Sequence, residues 1–225
     1  QLREICGFDV MLGIKGVPSS SAYTRFLKRL MKHQREINEM FDCLVKALYK
    51  EISDFGETLA IDGKAIETYA KPRRNKDEKP YDGRRDIDAD FGVKTYKGKT
   101  KDGSLWGKTK SWFGYKLHLI VDAKYELPVS FCVTKASKSE VKEGHKLIDK
   151  MEQRVPVILD RCLYFTGDRG YDDSKLITKV WGKYGIKPII DIRNLWKDGE
   201  ETKLVNGRAN VVYDYKGTVY CYSPI

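Results

Sequence analysis

An acidic residue interrupts an apolar run about a quarter of the way along the chain. Residues 59–66 read Leu-Ala-Ile-Asp-Gly-Lys-Ala-Ile, which predicts a buried β-strand with Asp62 inside it. A carboxylate buried without a partner is strongly destabilising. We therefore expect the fold to bring a proton, a cation or another group to Asp62.

A second acid follows another short apolar run. Residues 163–167 predict a strand that delivers Asp168 at its carboxyl end. Taken alone, Asp168 could equally be a turn residue before Gly170. Its interest depends on whether its strand lies beside that of Asp62.

The order of the predicted helices and strands indicates whether the strands of Asp62 and Asp168 are neighbours. Apolar spacing predicts a helical segment over 20–52 and a helix over 140–154, with a further helix starting near Asp172 or Asp173. Between them we expect strands at 59–66, 112–123, 127–134, 163–167 and 187–192, and a last hairpin over 210–222. This succession predicts an α/β fold with a ribonuclease H-like mixed sheet flanked by helices, in which the first and fourth strands are neighbours.

The predicted organisation has three parts. Residues 1–56 form an N-terminal helical segment whose basic face could lie on DNA phosphates, 57–192 form the ribonuclease H-like core, and 193–225 begin a β-rich segment that is cut short. Residues 69–111 lack clear periodicity and are predicted to form a long loop. This loop holds thirteen Lys or Arg against seven Asp or Glu, and we expect it to contact DNA or to act as a flexible linker.

The overall charge favours a polyanionic partner. The chain has 42 Lys plus Arg against 32 Asp plus Glu, a net charge of +10. A ribosome-like role or binding to a membrane surface would also fit that charge. The five cysteines form no CxxC pair, and we expect a reduced cytoplasmic protein without a membrane span or signal segment.

Adjacent strands would give the two acids a chemical role. Neighbouring carboxylates repel each other and hold a proton or a cation between them. Mg²⁺ prefers hard oxygen ligands and is commonly held by one or two carboxylates together with substrate phosphates. Asp62 and Asp168 are therefore candidate ligands for a metal that assists phosphodiester chemistry.

Three short motifs carry a resemblance to a known family. They are Ala60-Ile61-Asp62-Gly63-Lys64, Phe113-Gly114-Tyr115-Lys116-Leu117-His118 and Thr166-Gly167-Asp168-Arg169-Gly170-Tyr171-Asp172. In this order and spacing they resemble the bacterial insertion-sequence DDE transposases, and the likeness extends from about Leu2 to Ile192. The resemblance implies metal-dependent phosphodiester hydrolysis and strand transfer during DNA transposition. It also implies a homodimer on transposon-end and target DNA, associated with the nucleoid when bound to DNA.

The resemblance also implies residue roles. Asp62 and Asp168 would be the first and second catalytic carboxylates and would bind Mg²⁺ or Mn²⁺, while Arg169 and Tyr171 would lie beside the scissile strand. His118 is expected to be structural. Other candidate DNA-binding residues are basic side chains near the motifs, in the loop and on the first helix: Lys64, Lys116, Arg73, Arg74, Arg25 and Arg29. A charge run on a helix can also be plain solvated surface.

The family's third carboxylate has no counterpart in the sequence as read. In the family, this carboxylate belongs to a Glu on a later helix. In this sequence, Glu200 and Glu201 instead lie in a polar segment typical of a turn. We expect the third acid beyond Ile225, so that these 225 residues are inactive alone. Two alternatives stay open: a ribonuclease H-like nuclease without strand transfer, and a truncated, non-catalytic DNA-binding remnant.

Overall fold

A computed structural model describes residues 18–72, 86–100 and 102–222. The chain divides into two compact units, Gln1–Ala47 and Leu48–Ile225. The helical segment consists of α1 (Ser20–Leu30), a 3₁₀ turn at Met31–His33, and α2 (Gln34–Glu51). No helix in the described part of the chain is both long and apolar enough to cross a membrane.

A six-stranded mixed sheet forms the centre of the second unit. Its strands are β1 (Thr58–Glu67), β2 (Asp90–Lys99), β3 (Leu105–Asp122), β4 (Pro128–Lys135), β5 (Tyr164–Gly167) and β6 (Lys187–Ile190). The order across the sheet is β2-β3-β1-β5-β6, and β4 pairs with β3. The helices are α3 (Glu140–Arg154), α4 (Pro156–Arg161) and α5 (Ser174–Thr178), which continues as a π turn at Lys179–Lys183. The α/β fold prediction is confirmed.

The first and fourth predicted strands are neighbours, as expected. β1 and β5 run parallel, with Leu59 opposite Phe165 and Ile61 opposite Gly167. β6 continues the parallel pairing on the far side of β5. The residues that directly precede Asp62 and Asp168 therefore lie side by side on neighbouring strands.

The predicted long loop over 69–111 is wrong where the structure describes strands. Residues 90–99 form β2 and residues 105–111 form the first part of β3, and the two pair without interruption from Asp90–Gly114 to Lys99–Leu105. The alternating apolar pattern that marks a strand is weak here because both faces of this ribbon are largely solvated. Residues 73–85 lie outside the described residues.

The core lies between the sheet and α3. Leu59, Ile120 and Phe165 are almost fully buried, and Leu147 and Ile148 are the buried apolar residues of α3 nearest its middle. Two polar residues secure the periphery of this core. Asp122 accepts hydrogen bonds from the amides of Gly56, Lys124 and Tyr125, and the Arg161 guanidinium donates to the carbonyls of Tyr49, Ile52 and Phe55.

A small second sheet follows the core. β7 (Thr202–Leu204), β8 (Val211–Asp214) and β9 (Val219–Cys221) pair antiparallel in that order. The predicted last hairpin is therefore present as β8 and β9. Gly217, at a φ of +83°, occupies its turn, a conformation that glycine adopts readily.

Candidate functional site

Asp62 and Asp168 occupy matching positions on neighbouring strands. Ile61 and Gly167 are the last paired residues of the parallel β1–β5 ladder, and each is followed directly by one of the two acids. Beyond this point β5 ends, while β1 continues in its pairing with β3. The two acids therefore share one end of the sheet, despite the long stretch of chain between them.

Asp62 is exposed, which corrects the prediction that it is buried. Its apolar neighbours Leu59 and Ile61 face the core, but Asp62 lies where β5 has ended and its face of the sheet opens to solvent. Asp62 Oδ1 accepts a hydrogen bond of 2.7 Å from the Gly63 amide, and Asp168 Oδ1 accepts one of 2.8 Å from the Gly170 amide. Each carboxylate thus has one oxygen in a hydrogen bond with a backbone amide one or two residues further along the chain.

Glu140 is a third acid beside this pair, and sequence reasoning missed it. A Cβ built on Gly63 would lie 3.2 Å from Glu140 Oε1, and one built on Gly170 would lie 3.0 Å from Glu140 Oε2 and 2.7 Å from Asp168 Oδ1. The absence of side chains at the two glycines makes room for the Glu140 carboxylate. Glu140 begins α3, and the sequence predicted only that a helix starts there.

Lys116 holds Glu140 at the site. Lys116 Nζ lies 3.2 Å from Glu140 Oε1 and donates to the Lys138 carbonyl at 3.1 Å. Only 12% of the Lys116 side chain is exposed, so this ion pair is better shielded from water than a surface pair. Lys116, predicted to contact DNA, is instead engaged with a carboxylate.

Tyr171 lies beneath the acids and is fully buried. Its side chain is therefore not available to DNA in this conformation, contrary to the predicted DNA contact. Its hydroxyl has no hydrogen-bond partner among the described residues. Burial raises the pKa of Tyr171, and the negative charges of Glu140, Asp62 and Asp168 raise it further. The tyrosine therefore stays neutral.

The other predicted DNA-binding residues are dispersed. Arg169 is exposed but pairs with Asp191, at 2.8 Å between guanidinium and carboxylate. Lys64 is exposed on β1 close to Asp62, and Arg25 and Arg29 are exposed on α1 in the first unit. Arg73 and Arg74 lie outside the described residues.

A groove of about 440 Å³ opens beside Asp62. One wall is residues 62–65 of β1, and the other carries Lys94 and Tyr96 of β2 with Lys110 and Trp112 of β3; Lys116 and Glu140 lie between them. Lys94, Tyr96 and Lys110 come from the segment that was predicted as a loop, so their position next to Asp62 could not be anticipated from the sequence.

His118 is structural, in agreement with the expectation. It is fully buried, and its Nε2 lies 2.9 Å from Thr134 Oγ1. Burial lowers the pKa of His118, and the charge of Lys116 lowers it further, against the opposing effect of Glu143 and Glu140. The imidazole is therefore neutral near pH 7.

The donor chemistry of the site suits a hard divalent cation. Asp62, Asp168 and Glu140 offer carboxylate oxygens. Nevertheless, over residues 18–72, 86–100 and 102–222 no group of three or more His, Cys, Asp or Glu side chains is arranged to hold a metal.

Comparison with known proteins identifies a family. Residues 54–219 match the family described as the transposase DDE domain. The matched region is well over half of the chain and includes Asp62, Glu140 and Asp168. No curated protein and no solved structure matches the chain.

Proposed function

The chain belongs to the transposase DDE domain family, and from this premise we propose that it is a DNA transposase that cuts and joins phosphodiester bonds with a divalent metal ion. The observation that carries the proposal is the placement of Asp62 and Asp168 directly after the last paired residues of two neighbouring parallel strands, inside the matched region. Transposon-end and target DNA are its proposed partners, bound by a homodimer.

We assign metal binding to Asp62 and Asp168. Both are exposed, so their carboxylates can turn from the Gly63 and Gly170 amides toward a cation without unfolding the sheet. Mg²⁺ and Mn²⁺ are the proposed ions because carboxylate oxygens suit them. The chemistry that such an ion supplies when bound is activation of an attacking hydroxyl and stabilisation of the leaving oxygen.

The chain's own residues prepare the site for a phosphate. Lys64 and Lys110 supply positive charge on the two walls of the groove next to Asp62. Lys116 neutralises Glu140, which lowers the negative charge that an incoming phosphodiester meets.

A second function, DNA binding without catalysis, has an observation in its favour. Among the described residues, no set of three acids is arranged as a metal site. A protein of this second kind would bind DNA without cleaving it.

Mn²⁺ binding tests the assignment without relying on turnover. Calorimetric titration with Mn²⁺ should give an affinity that falls at least about tenfold in Asp62→Asn and in Asp168→Asn. Asp191→Asn is the matched control, since Asp191 follows the next parallel strand but pairs with Arg169. Equal Mn²⁺ affinity in all four proteins would refute the two-aspartate site.

Reaction products separate the transposase from a nuclease. Supercoiled plasmid incubated with protein and Mn²⁺ should yield nicked circles, and a labelled oligonucleotide with a free 3′-hydroxyl should become joined to the plasmid. Cleavage without joining would favour the nuclease. Binding of plasmid with neither product, in the presence of measurable Mn²⁺ binding, would favour the non-catalytic form.

A further inference from the structure

The ribbon of β2 and β3 has one face built from aromatic rings and lysines. Residues directly opposite each other in an antiparallel pair project from the same face. On this face the opposed pairs, from the site outward, are Gly92 with Trp112, Lys94 with Lys110, Tyr96 with Lys108, and Gly98 with Trp106. We call this set the ribbon face.

Glycine determines how the two tryptophans lie on the ribbon face. A Cβ on Gly92 would come within 2.4 Å of the Trp112 ring, and a Cβ on Gly98 within 2.7 Å of the Trp106 ring. Each indole therefore lies across the ribbon over its opposed glycine. Trp106 and Tyr96 keep 46% and 44% of their surface exposed, so aromatic surface is available beyond the groove.

The lysines of the ribbon face are poorly neutralised. Lys94 and Lys110 are directly opposed, and like charges in that arrangement destabilise a ribbon. The Glu67 carboxylate lies 3.7 Å from Lys110 Nζ, but both side chains are more than half exposed, so water weakens that pair. A bound polyanion would relieve the repulsion.

The ribbon face leads into the candidate active site. Lys94, Tyr96, Lys110 and Trp112 form the wall of the groove opposite residues 62–65. A strand with its phosphate at Asp62 could therefore continue along the ribbon toward Trp106. Alternating rings and cations match the repeating bases and phosphates of a nucleic acid.

We propose that the ribbon face binds an unpaired DNA strand next to the scissile phosphate, with bases on Tyr96 and Trp106 and phosphates on Lys94, Lys108 and Lys110. This proposal rests on the proposed function, which supplies DNA as the substrate. An unpaired strand is the occupant because its bases have free faces for stacking, whereas the bases of a duplex are already stacked on each other.

Fluorescence anisotropy with a labelled single-stranded oligonucleotide of mixed sequence tests the stacking. Tyr96→Ala should weaken binding about 5- to 100-fold, since one stacked base is lost, while Tyr96→Phe should bind like the parent. Phe91→Ala is the matched control: Phe91 is exposed on the same strand but belongs to the opposite face. Equal affinity in Tyr96→Ala and Phe91→Ala, with unchanged circular dichroism, would overturn the proposal.

Salt dependence tests the phosphate contacts. The double variant Lys94→Gln/Lys110→Gln should flatten the plot of log affinity against log salt by about 1.4, as two single-strand phosphate contacts are lost. Lys142→Gln/Lys175→Gln removes the same charge from exposed helix positions and should leave the slope unchanged. Equal slopes in both double variants would exclude the ribbon face as the phosphate track.

Two comparisons separate this proposal from the assignment of the catalytic aspartates. Asp62→Asn should bind the single strand no more weakly than the parent, because it removes a negative charge beside the bound phosphate, whatever its effect on cleavage. A duplex of the same sequence should bind more weakly and respond little to Tyr96→Ala. Tighter binding of the duplex with the same Tyr96 dependence would instead indicate that the ribbon enters a groove of double-stranded DNA.

Discussion

The two halves of β3 share one strand but not one environment. Every residue from Leu105 to Ser111 is exposed, whereas every residue from Trp112 to Asp122 is buried or half-buried. The outer half pairs with β2, while the inner half lies between β1 and β4 over most of its length. Backbone pairing with one neighbour is therefore enough to form a strand. Burial of its side chains requires neighbouring strands on both sides and a face that packs against other elements.

This difference suggests that the inner half of β3 stabilises the fold, while the outer half serves to bind a partner. The inner half carries His118 and Ile120, which are fully buried, and it aligns β1 so that Asp62 meets the end of β5. The outer half contributes lysines and tryptophan at the surface. We expect substitutions in the inner half to change the free energy of unfolding, and those in the outer half to change DNA binding.

The largest expected effect is loss of apolar volume from the inner half. Ile120→Ala should lower the free energy of unfolding by about 2–5 kcal/mol, because the site is fully buried and leaves a cavity. Leu105→Ala, at a position 82% exposed in the outer half, should change it by less than about 0.5 kcal/mol. Urea denaturation followed by circular dichroism measures both, and similar losses would contradict the division of β3.

A polar contact at the inner end of β3 should rank next. Asp122→Ala removes the carboxylate that accepts from three backbone amides, at 2.6 Å from Gly56, 2.9 Å from Lys124 and 2.7 Å from Tyr125. Leaving such donors without a partner should cost about 2–4 kcal/mol. The same denaturation measures it, with Asp102→Ala in the exposed hairpin turn as control. Equal stability of the two variants would show that water replaces the lost acceptor.

The junction of the two halves should be sensitive to a single methyl group. Gly92→Ala would place its Cβ 2.4 Å from the Trp112 ring, so the indole must move, with an expected loss of about 1–3 kcal/mol. Gly107→Ala is the matched control, since its Cβ would meet only the Tyr96 carbonyl oxygen at 3.9 Å. Trp fluorescence should shift in Gly92→Ala alone. An unchanged spectrum would mean that Trp112 does not lie over Gly92.

The smallest expected effect is on pH dependence. Burial lowers the pKa of His118 in the folded protein below the ordinary value of about 6.5 in the unfolded chain. The unfolded chain therefore takes up this proton first on acidification, so the stabilisation is complete above about pH 6.5 and is lost as the pH falls through the folded pKa. His118→Gln should make the acid-side fall in unfolding free energy shallower.

A matched histidine controls for general acid effects. His33 lies in the turn between α1 and α2 with 62% of its side chain exposed. His33→Gln should therefore leave the acid-side slope as it is in the parent. Urea titrations between pH 5 and 7.5 measure these slopes. If His118→Gln keeps the same acid-side slope of unfolding free energy as the parent, titration of other groups causes the loss of stability in acid.

Sequence reasoning succeeded where burial leaves a periodic pattern. The apolar runs at Leu59–Ile66 and Leu163–Gly167 correspond to β1 and β5, and their order predicted that these two strands are neighbours. The same reasoning failed for residues 90–111, because a solvated ribbon has no apolar face to produce a pattern. It also missed Glu140, because the sequence predicted only that a helix starts there.

The sequence by itself determined that Asp62 and Asp168 belong to apolar strands, that these two strands are neighbours, and the family that the chain resembles. Tertiary structure alone decided that Asp62 is exposed, that Tyr171 is buried beneath the acids, and that Glu140 and the ribbon face reach the same groove. The physical reason is that periodicity records only the burial of each strand within its own sheet. Contacts between side chains that are distant in sequence depend on how the sheet ends and on which glycines leave room beside it.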